Sequence, residues 1–118
     1  MKKQDFINKL IEMKINDKIV ELVEKKYLCK LNDEVKRVLS FEDINFSIND
    51  ESRLLSSDDI LNADKKYDYE FTKKHLIPLM DCSDNDLLVY DVEKKQYSKF
   101  NIVDKLLFKD KKSISECI

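Results

Sequence analysis

The chain has 118 residues, with 22 lysines and arginines against 24 aspartates and glutamates, a formal net charge of -2 and 42% hydrophobic residues. That length suits one modest core, so a single domain over residues 1–118 is expected, and the heavily charged composition predicts a well-solvated surface. No apolar run approaches the roughly 20 residues of a membrane helix, and Met1 to Lys14 lacks the continuous apolar core of a secretion signal, which together predict a cytoplasmic protein without membrane contact.

Phe6, Ile7, Leu10 and Ile11 recur at helical spacing and predict a helix from Asp5 to Lys14. Ile19, Val20 and Val23 predict a second helix, with Asp17 as its cap. A third starts near Asn32 or Asp33 and turns Val35, Val38 and Leu39 inward. Phe41 to Asp50 fits neither period, although Asn49 and Asp50 have the composition of a turn. Arg53, Leu54 and Leu55 predict a short strand that runs into Ser56-Ser57-Asp58-Asp59, a helix start, with the helix spanning Asp58 to Ala63. Lys65 to Lys74 reads as a polar linker bearing aromatic residues. Leu76 to Met80 predicts a strand in which Pro78 requires an edge position or a bulge. Ser83 to Asp86 turns the chain, Leu87 to Val92 and Gln96 to Val103 form a hairpin about Glu93 to Lys95, and Ser113-x-x-Glu116 starts a short final helix.

Glycine is absent and proline occurs once. The lack of glycine excludes every glycine-rich phosphate loop and assigns the left-handed turn positions to Asn and Asp. Cys29, Cys82 and Cys117 form no C-x-x-C pair and are odd in number, which predicts buried or half-buried free thiols instead of a zinc or disulfide framework. His75 is the sole histidine and has no partner at metal-ligating or triad spacing. Its pairing with Cys82 as base and thiolate would have to span a probable strand. Asp81, Asp84 and Asp86 with Asn85 could offer oxygens to Mg²⁺ or Ca²⁺, but they lack the glycine and the distal glutamate of a calcium loop and suit an ordinary turn better. No catalytic residue, metal ligand or cofactor is assigned.

Charge is unevenly distributed. Residues 41–70 carry nine acids against Arg53, Lys65 and Lys66, and residues 81–93 carry five acids and no base, whereas residues 94–112 carry seven lysines against Asp104 and Asp110. Tyr67, Tyr69 and Phe71 interleave with lysines in the manner of a base-stacking platform, but the run is short and flanked by acids, which disfavours nucleic acid as a partner.

The order RLLSSDDILNA (Arg53 to Ala63), LIPLMDCSDNDLLVYDV (Leu76 to Val92), YSKFNIVD (Tyr97 to Asp104) and SISECI resembles the SUKH superfamily, which holds bacterial toxin immunity proteins and a yeast regulator of cell-wall assembly. The resemblance is best at Ile77-Pro78, the polar turn after it, and Tyr90-Asp91. It departs at Ser83-Asp84-Asn85-Asp86, where many relatives carry glycines and where Asn85 is expected to take the positive φ. It implies an α+β fold: an antiparallel sheet of about four to six strands, with N-terminal helices and a short C-terminal helix packed against it. It also implies a cytoplasmic immunity protein, monomeric or weakly homodimeric, that neutralises a cognate toxin by non-covalent binding. A scaffold or regulatory module is the alternative, with a metal-dependent hydrolase behind it. Asp84, Asp86, Tyr90, Asp91 and Tyr97 are the candidate contacts, as acids that complement a basic surface and aromatic residues that anchor an interface.

Overall fold

Short polar side chains start most of the helices. In the computed structural model, which describes all residues 1–118, Asn16 caps α2 (Asp17–Tyr27), Asn32 caps α3 (Asp33–Leu39), Ser56 caps α4 (Ser57–Leu61) and Ser113 caps α7 (Ile114–Cys117). Each accepts a backbone N–H of the first turn, which otherwise has no partner. The α2 cap lies one residue before the expected Asp17, because the Asn16 side chain meets Ile19 N while Asn16 N donates to Ser40 Oγ. α1 (Lys3–Glu12) lacks a cap of its own, and Asn49 reaches across the fold to accept from Lys3 N at 2.9 Å.

The segment 41–50 forms no regular element. Phe41 and Phe46 instead pack on Phe6, with ring centroids 5.2 and 6.5 Å away, and Asn49 and Asp50 turn the chain at positive φ between the bridged residues Ile48 and Ser52. The expected linker is also structured, as α5 (Ala63–Lys66) and α6 (Phe71–Lys74). Asp64 binds both Thr72 N and Thr72 Oγ1, which fastens α6 to α5.

Five strands form one antiparallel meander in the order β1 (Arg53–Leu54), β2 (Leu76–Asp81), β3 (Asp86–Asp91), β4 (Gln96–Asn101) and β5 (Leu106–Lys111). The fold is therefore α+β. Pro78 sits in an inner strand at a register shift between Pro78 and Met80, so the missing N–H is accommodated by a bulge. β5 lies where no element is predicted. Its six residues are all exposed and lack the alternation that marks a half-buried strand.

Both faces of the central strands are covered. Tyr97 and Phe100 lie three residues apart in β4 and so point to opposite faces. Phe100 meets Phe71 and Tyr69 at 5.1 and 4.6 Å. On the other side Tyr97 packs on Tyr90 at 5.1 Å, Tyr90 Oη accepts from Asn32 at the start of α3, and α7 packs against β4 and β5. This double cover explains why five of six residues are buried in β2 and again in β3, and the core gathers 26 buried residues.

Candidate functional site

The strand ends come together in a way that chain order conceals. Each hairpin of the meander returns to the same side, so the C-terminal end of β2, the start of β3, the end of β4 and the start of β5 share one end of the sheet. Arg53 pairs with Asp81, which brings the 49–51 turn to that end as well. Asp50, Glu51, Asp81, Asp84 and Asp104 are exposed there and Asp86 is half-buried.

The turn at the centre of this group is tightly held. Cys82 N donates to Asp86 O at 2.8 Å, and Ile102 N donates to Asn85 O at 2.8 Å, so the β2–β3 turn is tied to the β4–β5 turn. Asp84 and Asn85 both have positive φ, 61° and 62°, as the turn type favoured in two-residue hairpins requires. The left-handed geometry expected of Asn85 is present and Asp84 shares it. Asn101 Nδ2 donates to Asp86 Oδ1 at 3.0 Å, whereas the Asp84 carboxylate makes no hydrogen bond within the protein.

Arg53, Lys99 and Lys105 share this end of the sheet with the acids. The Met1 ammonium, Lys2 and Lys3 lie beside the 49–51 turn, where Asn49 N donates to Met1 O and Asn49 Oδ1 accepts from Lys3 N. Lys99 Nζ is turned to Cys82 Sγ at 3.3 Å and Lys105 Nζ to Tyr67 O at 2.6 Å, while Arg53 is exposed. None forms an ion pair with the acids, since the two ion pairs in the molecule are Lys66–Asp59 and Lys73–Glu70. The acids of this end are left facing solvent without ion pairs. The opposite end carries Lys73 and Lys74 before β2, Lys94 and Lys95 between β3 and β4, Lys111 at the end of β5 and Lys112 after it, so lysines there outnumber Glu70, Asp91, Glu93 and Asp110.

No family model, curated protein or solved structure matches this chain.

Of the five expected contacts, Asp84 and Asp86 belong to the acidic end and the other three lie inside. Tyr90 and Tyr97 are 3% and 1% exposed and pack on one another between the sheet and α3. They anchor the core, not an interface. The Tyr97 hydroxyl has no hydrogen-bond partner, and its burial, together with the Glu34 carboxylate beside it, drives the phenol far above its ordinary pKa. Asp91 is 8% exposed and at the other end of the sheet, where Oδ1 accepts from Glu93 N and Lys94 N, both at 3.1 Å. Its role is to hold the β3–β4 turn. The cover supplied by α3 and α7 is what takes Tyr90 and Tyr97 out of solvent.

The other chemistry-bearing residues fall to structural tasks. His75 Nδ1 lies 3.0 Å from Tyr27 O and the residue closes α6 at φ 54°, one six-residue strand away from Cys82. At about 3.3 Å per residue that separation is roughly 20 Å, so the pair is not a dyad. Phe71 is fully buried and Tyr67 and Tyr69 are edge-on or tilted to it, so these rings present no stacking platform. No three His, Cys, Asp or Glu side chains converge to hold a metal ion. The cysteines are free, Cys29 and Cys82 half-buried and Cys117 buried. No helix is long and apolar enough to cross a membrane.

Proposed function

We propose that this protein is a cytosolic immunity protein of the SUKH type, which neutralises a cognate toxin domain by covering it without covalent chemistry. One observation carries the reading. Five exposed acids from three separate stretches of the chain stand, with half-buried Asp86, on one hydrogen-bonded end of the sheet, and none is in an ion pair. A preorganised patch of one sign speeds encounter with a surface of the other sign and costs little ordering when it binds. Toxic nuclease domains, which must hold a phosphate backbone, expose such basic surfaces. The resemblance at Ile77-Pro78 and Tyr90-Asp91 supports the same reading from a separate direction, because those residues belong to β2 and β3, the strands that carry the turn of Asp84 and Asp86.

The test is co-purification with the product of the neighbouring gene, followed by protection of cells that express that product. A stoichiometric complex and restored growth are expected. Toxicity unchanged by this protein rejects the immunity reading for that pair, and several weak partners in place of one stoichiometric partner would mark a scaffold.

A further inference from the structure

Opposite charges three residues apart on a helix ordinarily meet. Glu34 and Arg37 on α3 have that spacing and are both half-buried, yet they form no ion pair. The Glu34 carboxylate is drawn instead to the start of α7, where Oε1 accepts from Ile114 N at 3.2 Å. Two carboxylate oxygens offer several acceptor positions, so capacity remains beyond that one bond. Arg37 is in no ion pair either, and its buried Nε has no hydrogen-bond partner. An unpaired guanidinium donor in a desolvated position calls for an acceptor from outside the chain.

Both side chains line one cavity of about 160 Å³ between α1, α3 and α7. Leu10 and Ile114 are buried and form its floor, Ile7 is half-buried, and Ile11 stands 67% exposed at the mouth. With Ser115 added, the wall is aliphatic apart from one carboxylate, one guanidinium and one hydroxyl.

This lining selects a ligand by charge and by size. Its charged residues are one acid and one base, so an anion alone would meet Glu34 and a cation alone would meet Arg37, whereas a zwitterion offers each its complement. A neutral peptide amide could accept and donate hydrogen bonds but would leave both half-buried charges uncompensated. An apolar cavity of about 150 Å³ accepts a benzene-sized molecule, and a leucine side chain with its Cα is of that size.

We propose that this cavity binds a free aliphatic α-amino acid of the size of leucine, its ammonium on Glu34, its carboxylate on Arg37 and its side chain against Ile7, Leu10, Ile11 and Ile114. The site shares no residue with the acidic end, so the inference goes beyond the immunity reading and stands without it.

Titration of the full isotope-labelled chain with L-leucine, followed by NMR, tests the assignment. Saturable shifts are expected at the residues that line the cavity, with a dissociation constant of about 0.1–1 mM, as suits so small a ligand. N-acetyl-leucine, which lacks the ammonium, and leucinamide, which lacks the carboxylate, should each bind at least about tenfold more weakly. Arg37→Gln should weaken leucine about tenfold and remove its advantage over leucinamide, and Glu34→Gln, which keeps an acceptor for Ile114 N, should remove its advantage over N-acetyl-leucine. Ile11→Trp, at an exposed position, should fill the mouth and block binding while circular dichroism shows the fold unchanged. Absence of saturable shifts up to about 20 mM leucine overturns the proposal. So does N-acetyl-leucinamide binding as tightly as leucine, which would mark a slot for an apolar side chain of a protein partner, and so do leucine shifts that persist unchanged in Arg37→Gln.

Discussion

Ten residues that are not glycine hold positive φ in a chain without any glycine, and this sets much of its residue-scale energetics. Asn49, Asp50, Asp68, Asp84 and Asn85 are the types expected there, but Leu28, His75, Lys95, Lys105 and Lys109 are not. The two longer hairpin turns show how the cost is offset. Asp91 accepts from Glu93 N and Lys94 N ahead of left-handed Lys95, and Asn101 accepts from Val103 N and Asp104 N ahead of left-handed Lys105. In each turn one carboxylate or amide oxygen fixes the chain so that lysine takes glycine's place. Leu28 closes α2 at φ 53° and is 80% exposed, so Leu28→Gly removes strain and loses little packing. Urea denaturation should show a gain of about 1 kcal/mol, and Lys95→Gly should behave alike. Asp91→Ala should cost about 1–3 kcal/mol in the same assay, because two turn N–H groups lose their acceptor, and Asp91→Asn, which keeps an oxygen, should retain most of that.

At the scale of elements, buried and half-buried tyrosines join helix to helix and helix to sheet. Tyr27 on α2 donates to Ile60 O on α4 at 2.7 Å, Tyr67 follows α5, and Tyr97 lies under α3. Burial raises all three phenols, Tyr67 from 10.0 to about 12 with Asp81 and Asp59 adding to the shift, and Tyr27 and Tyr97 further. The folded state holds these protons more tightly than the unfolded chain, which loses them first as pH rises. Their contribution to stability is therefore complete below the unfolded value near 10; that of Tyr67 is lost as pH climbs through about 12, and those of Tyr27 and Tyr97 at higher pH. Urea midpoints should be flat up to about pH 9 and fall steeply above pH 10, and Tyr67→Phe should make that fall shallower. Where a cap and a period coincide, as in α2, α3 and α4, the elements were legible in sequence to within a residue or two. α5 and α6 were not legible, because four-residue helices have too few turns to show a period, and they are held by the Asp64–Thr72 bonds between them and by Phe100 from the sheet.

At the scale of the whole molecule, 22 basic and 24 acidic residues make two ion pairs, so charge here shapes the field more than it stabilises the fold. Asp84→Lys with Asp86→Lys should cost about 1–2 kcal/mol of stability, because Asp86 accepts from Asn101 and Asp84 holds a left-handed φ, and should slow association of the folded protein with a basic partner about tenfold, read by stopped-flow at low salt. Equal association rates would remove the acidic end as the docking surface. The sequence by itself determined the helix starts to within a residue or two, the β3–β4 hairpin, an edge position or a bulge for Pro78 and the absence of glycine loops, because these depend on the backbone preferences of neighbouring residues. It also showed acidic and basic stretches, but not where they would lie. Only the tertiary structure decided that Asp104, from the lysine-rich stretch, joins the acidic end, that Asp91 is buried at the basic one, and that Tyr90 and Tyr97 lie inside. A meander returns alternate turns to the same end, and helices from distant parts of the chain cover both faces of its central strands, so position along the chain predicts neither surface nor sign.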